Sequence, residues 1–158
     1  MNRPVIVAVV ATVAVLGTGG ALTRVGPWYY GLRKPSWNPP SWVFGPAWTL
    51  IGALTAWAAV VAWAPLPTRS ERATLITLFA ANGVFNILWS LLFFNLKRPD
   101  WALNEVVLLW LSILALIIDT AVRTPLAALL LAPYLAWVSF AAFLNLIIVR
   151  LNSSLRTS

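Results

Sequence analysis

Neither cysteine nor histidine occurs in the 158 residues, and four acids stand against eleven lysines and arginines. Without thiols or imidazoles the chain can hold no disulfide framework, no Cys/His metal site and no haem through either side chain. The four acids, Glu71, Asp100, Glu105 and Asp119, offer no pair spaced for acid/base hydrolysis. Charge of either sign is scarce, at 9% of residues, whereas 61% are hydrophobic and the mean hydropathy is +0.85. A soluble domain of this length needs far less apolar surface than that.

What is present is long apolar runs. Charge is absent or nearly so between Arg3 and Arg24, Lys34 and Arg69, Arg72 and Lys97, Asp100 and Asp119, and Arg123 and Arg150. Each interval holds about 20 helical residues, enough to cross a hydrocarbon core of ~30 Å. The runs are continuous rather than alternating, which argues against a transmembrane barrel. The expected fold is therefore all-α: one integral membrane domain spanning 1–158, with five transmembrane helices at about 5–22, 42–64, 73–96, 101–119 and 125–150 and a lid loop at 23–41. The first run follows Arg3 as a signal peptide would, but its length favours a retained helix. The net charge of +7 lies between or beside apolar spans, so it reads as topology signal and lipid contact, not as a nucleic-acid surface.

Local chemistry refines the boundaries. Trp37-Asn-Pro-Pro-Ser-Trp-Val-Phe-Gly-Pro-Ala-Trp48 leads from a stiff, tryptophan-rich loop into the second helix, with Ser41 as the expected cap. Ser70 is expected to cap the third helix, Asp100 the fourth and Thr124 the fifth, where Pro125 occupies the first helical position. Pro133 is expected to bend the fifth. The short later connections make consecutive helices antiparallel neighbours. The face with the lid loop and the C-terminus carries Arg24, Arg33, Lys34, Lys97, Arg98, Arg150 and Arg156; the other carries Arg3, Arg69, Arg72 and Arg123. The positive-inside rule then puts the lid and the C-terminus in the cytoplasm. Glu105, one turn into the fourth helix, is expected to reach the interface or pair with Lys97 or Arg98, a proton or cation site being the alternative.

Amides carry the other signal. Asn82, Asn86 and Trp89 share a face of the third helix, and Trp137, Ala141 and Asn145 share one of the fifth. Such amides either join helices or face a ligand, and beside indoles they would suit a flat, mostly apolar molecule with polar edges. Gly17, Gly19 and Gly20 allow either close helix packing or room for a ligand. Ala73, Thr77 and Ala81 form a small-residue stripe read as a dimer seam.

The motifs Trp28-Tyr29-x-x-Leu32-x-Lys34-Pro35-x-Trp37-x-Pro39-Pro40-x-Trp42-x-Phe44-x-Pro46-x-Trp48, Phe85-Asn86-x-Leu88-Trp89 and Pro133-Tyr134-Leu135-x-Trp137…Leu144-Asn145 together resemble the TspO/MBR family of tryptophan-rich sensory and translocator proteins, nearly end to end. The resemblance implies a five-helix bundle, commonly a homodimer. It also implies a pocket under the first loop for porphyrins, such as protoporphyrin IX or haem-like tetrapyrroles, and for benzodiazepine-type ligands. Porphyrin enters as ligand, with no covalently bound cofactor. The positions matching the family pocket are Tyr29, Trp48, Asn86, Trp137 and Ala141, and Ser139 matches a position where substitution alters ligand binding. One departure concerns sterol: in Leu144–Arg150, leucine stands where the sterol pattern of animal members has tyrosine, which argues against cholesterol as native ligand.

Three functions follow from this reading. One is a tetrapyrrole-binding receptor or sensor, which could also transport or regulate its ligand. Another is light- and oxygen-dependent breakdown of bound protoporphyrin, for which the resemblance implicates Trp48 and Trp137. The last, a purely structural membrane protein, leaves the tryptophan-dense loop without a purpose.

Overall fold

In the computed structural model, which describes residues 3–153, every regular element is helical. Five helices are long and apolar enough to cross a membrane, and they make the chain a multi-pass integral membrane protein. They are α1 (Arg3–Leu22), α3 (Phe44–Trp63, entered through a 3₁₀ turn at Ser41–Val43), α4 (Arg69–Ser90), α5 (Pro99–Ala121) and α6 (Pro125–Leu151). α6 runs through Pro133 as one helix. A short helix, α2 (Pro27–Gly31), lies within the lid. Arg156 of the basic tail falls outside the described residues.

Proline and threonine set the helix starts differently from expectation. Thr68, not Ser70, caps α4: its hydroxyl accepts from Glu71 N–H (3.2 Å) while Glu71 Oε2 accepts from Thr68 N–H (3.2 Å). This is a capping box, readable as Thr-x-x-Glu. Asp100 does not cap α5, because Pro99, with its fixed φ and missing N–H, takes the first helical position and leaves Arg98 at the cap. Asp100 in the first turn pairs with Arg98 at 2.6 Å. Ser41 opens the 3₁₀ turn without a side-chain cap, and Thr124 holds the cap position of α6 without one.

α4 ends in a π-helical turn, Leu91–Asn95, in which Leu96 N–H donates to Leu91 O at 2.9 Å. Lys97 then adopts φ 56° and reverses the chain into α5.

The helices pack in the cyclic order α1, α3, α6, α5, α4 and back to α1. Consecutive α3 and α4 therefore scarcely touch, contrary to the neighbour expectation, because α1 is wedged between them. Two glycines admit it. A Cβ on Gly52 of α3 would overlap Leu16 Cδ1, and one on Gly83 of α4 would stand 3.0 Å from Val15 Cγ2. Gly17 and Gly20 meet no neighbour, while Gly19 faces Asn86 and Ser90.

The lid is pinned to the tops of α4, α5 and α6. Tyr29 and Leu32 are buried in one cluster with Phe93, Phe94, Ala102, Leu144 and Ile148, and Trp37 stacks on Phe143 with centroids 5.6 Å apart. Asn152, just past α6, clasps the lid backbone: Arg33 N–H donates to its Oδ1 (3.0 Å) and its Nδ2 donates to Arg33 O (2.8 Å). Lys34 Nζ lies over the Tyr29 ring and donates to Leu32 O at 3.0 Å. Burial there holds the Lys34 pKa below its usual 10.5.

Candidate functional site

A cavity of about 570 Å³ opens between α1, α3 and α4 and is closed on its inner side by Tyr134 of α6. That volume is within the range of pockets that enclose drug-sized molecules. Its inner end is built from groups on four helices. Gly52 and Gly83 remove side chains where α1 crosses, leaving Trp48 and Ile51 of α3 and Asn82 and Asn86 of α4 to form the wall.

The polar groups form a directed hydrogen-bond chain. Asn86 Nδ2 donates to Tyr134 OH (2.9 Å), which donates to Asn82 Oδ1 (3.2 Å). Asn82 Nδ2 donates to Ser112 Oγ (2.9 Å), which donates to Leu109 O (2.7 Å). α4, α6 and α5 are thereby joined, so Asn82 is fully engaged as a tie between helices. Asn86 differs: its Oδ1 accepts no hydrogen bond among the described residues and lies 3.7 Å from where a Gly19 Cβ would stand. A buried amide with one committed end and one free acceptor is equipped to take a hydrogen bond from a guest.

Aromatic rings connect this end of the cavity to the lid. Trp48 meets Tyr134 edge-on at 6.0 Å and Trp137 at 6.5 Å; Trp137 meets Phe140 at 5.6 Å, and Phe140 meets Trp37 of the lid at 6.0 Å. Phe44 packs edge-on against Trp137 from the other side. The offsets and edge contacts suit ring quadrupoles and make the ladder stiff.

Of the residues singled out in the sequence, Trp48 and Asn86 line the cavity, and Trp137 stands behind Trp48 in ring contact. Tyr29 is buried within the lid cluster above α4 to α6. Ser139 is exposed and turned toward α5: its Oγ accepts from Trp110 Nε1 (2.8 Å) and donates to Leu135 O (2.8 Å). Ala141 is half-buried, and neither it nor Ser139 lies on the cavity wall. Asn145 is a helix tie. With its amide turned to satisfy both neighbours, it donates to Pro99 O (3.0 Å) and accepts from Leu103 N–H (3.1 Å), groups one turn apart at the start of α5.

Glu105 departs from expectation. It is buried, both carboxyl oxygens lack partners, and the ion pair at this end of α5 is Arg98 with Asp100. Sequence reasoning also missed Tyr134 as the hub of the amide chain. Its position one turn before Val138, on the buried stripe of α6, was the available signal. Among the described residues no group of three or more acids could hold a metal.

Comparison with known proteins agrees with the fold. A model of the TspO/MBR family matches residues 6–151. The chain is 36% identical to the tryptophan-rich protein TspO of Chlorobaculum tepidum over 157 residues, covering 96% of this chain and 99% of the relative. It is 38% identical to the translocator protein of Sus scrofa (82% of this chain, 77% of the relative) and 34% identical to protein CrtK of Rhodobacter capsulatus (88% and 87%).

Proposed function

The chain belongs to the TspO/MBR family, and from that membership we propose that it is a membrane receptor for planar, largely apolar tetrapyrroles. The ligand would lie in the cavity against Trp48, with Trp137 supporting that indole from behind and Asn86 Oδ1 accepting a hydrogen bond from its polar edge. The observation that carries this reading is that Trp48 and Asn86 share the wall of a 570 Å³ apolar cavity, with the Asn86 oxygen accepting no hydrogen bond among the described residues. A purely structural bundle has no use for an unfilled acceptor there. Benzodiazepine-type molecules have the same flat, apolar character and would compete. Tyr29 would act from above by holding the lid, and Ser139 and Ala141 through the setting of α6, since none of the three borders the cavity.

The test is titration of the purified protein with protoporphyrin IX, followed by the Soret band and by tryptophan quenching. Trp48→Phe should weaken binding by up to about tenfold, since an aromatic contact contributes ~0.5–1.5 kcal/mol beyond its area; Trp48→Ala also opens a void and should weaken it further. Asn86→Ala should lower affinity, and unchanged affinity in all three variants removes the site.

A second reading, breakdown of bound protoporphyrin under light and oxygen, draws on the Trp48–Trp137 contact, in which the indole on the cavity wall is backed by a second oxidisable indole. Illumination of the complex distinguishes the two, because a receptor returns its spectrum unchanged and a degrading protein yields a new product. We further propose a homodimer through α4, where Ala73 and Thr77 are exposed and Ala81 half-buried. The cytoplasmic placement of the lid and C-terminus rests on the excess of basic residues on that side.

A further inference from the structure

The cavity does not end beneath Trp48. It continues along α1 to Arg3, at the membrane face opposite the lid. From Arg3 to Leu16, both on its wall, is ~20 Å at 1.5 Å per residue. The cavity is thus elongated, with Arg3 at one end and Trp48, Asn82 and Asn86 at the other. Val7 of α1 and Ile76 and Val84 of α4 line the cavity yet are 66%, 56% and 61% exposed in the single chain, so there it opens sideways between these two helices.

The charge at its outer end is of one sign. Arg3 is the one charged residue on the wall among those described, and it has no ion-pair or hydrogen-bond partner among them. Arg72 lies over Trp63, another wall residue, with its guanidinium 5.1 Å from the ring, and donates through Nε to Leu66 O. The nearby acids are engaged elsewhere, Glu71 in the α4 capping box and with Arg123 (3.8 Å), Asp119 with Arg123 (2.8 Å). Partway along the wall, Thr55 Oγ1 is buried without a partner.

We propose that this half of the cavity is a binding site for a single-chain anionic amphiphile of the long-chain fatty-acid class. The molecule enters sideways from the leaflet opposite the lid. Its carboxylate pairs with Arg3 beside Trp63 and Arg72, and its chain runs inward past Thr55 toward Trp48. One elongated cavity with cations only at the lipid-water boundary matches one apolar chain with one terminal anion. The site stands independently of tetrapyrrole binding, although a bound chain would reach the same inner wall and so compete.

The experiment uses the full chain in detergent, titrated with bromostearic acids and read by tryptophan quenching. Saturable quenching is expected. Bromine near the carboxyl should quench Trp63, so the signal falls in Trp63→Phe; bromine deep in the chain should quench Trp48, so it falls in Trp48→Phe. The methyl ester should bind two- to fivefold more weakly, Arg3→Gln should remove that preference, and Ala11→Phe, which puts a ring into the side opening from an exposed position, should abolish binding of both. Quenching that scales only with micelle partition, equal affinity for acid and ester, or full binding in Ala11→Phe overturns the inference. If a phosphatidylglycerol nanodisc competes with the acid in an Arg3-dependent way, the site takes a lipid headgroup and the single-chain assignment is wrong. Protein that binds the acid but no protoporphyrin retains this site and loses the tetrapyrrole reading; the converse loses this one.

Discussion

Asn152→Ala should open the lid without unfolding the bundle. Asn152 makes two hydrogen bonds to the Arg33 backbone, 119 residues away, and a third from Nδ2 to Ile148 O at 2.8 Å in its own helix. Truncation removes both lid bonds, each with a net value of ~0.5–1.5 kcal/mol, and leaves the part-buried Arg33 N–H and C=O with nothing but whatever water reaches them. Together this is about 2–3 kcal/mol, which raises the open fraction of the lid roughly 30- to 150-fold. Asn152→Asp keeps an acceptor for Arg33 N–H but loses the donor to Arg33 O, so it should fall between wild type and alanine. The assay is native-state hydrogen exchange at Arg33 and Lys34, paired with the dissociation rate of bound protoporphyrin. Faster exchange at both amides, with α5 unchanged, is the expected outcome. If the loss of protection is confined to the last turn of α6, the residue serves only that helix end and the clasp argument fails.

Gly52→Leu should lower stability by about 1–3 kcal/mol through overpacking against Leu16 and Thr12. Loss of exchange protection should be concentrated in α1, and a uniform loss would refute the wedge. Replacing Glu105 by methionine removes a buried carboxyl with no partner and should stabilise the protein in detergent by about 1 kcal/mol or more, read as a higher thermal midpoint. A fall would mean that the acid has a partner in the assembled protein. Burial raises the Tyr29 pKa above its usual 10.0. The folded state thus favours the neutral phenol, and this contribution is complete below pH 10.0 and lost as pH climbs through the raised value. Alkaline unfolding followed by lid exchange should be steeper in wild type than in Tyr29→Phe, and parallel curves would remove Tyr29 from the pH response.

The five spans were legible because a bilayer demands a length of apolar residues that few other structures require, and each charge-poor interval supplied it. The helix starts were less so. Pro99 outranked Asp100 by its fixed backbone, and Thr68 held a capping box that was readable as Thr-x-x-Glu and was passed over for Ser70. Asn82 and Asn86 were found as a stripe, but which of them tied helices and which kept a free oxygen depended on Tyr134, brought in from α6. Chain order suggested that α3 and α4 would be partners. That α1 separates them rests on Gly52 and Gly83, whose meaning appears only once it is known which helix they face. Arg3 was read as a topology signal because its place on a cavity wall depends on that same packing.

The wedge also bears on how the protein comes to be made. α1 leaves the ribosome before α3 and α4, yet both surfaces that receive it belong to those later helices. Until they are in place, lipid must stand against α1 where they will pack. Its sequence is fitted to that interval, with Val7, Val10 and Val13 still facing outward in the finished bundle. A helix that tolerates lipid on every side during synthesis can afterwards part from α4 along the apolar stretch of Val7, Ala11 and Val15, leaving Gly19 against Asn86 and Ser90, which is what a sideways passage into the cavity requires.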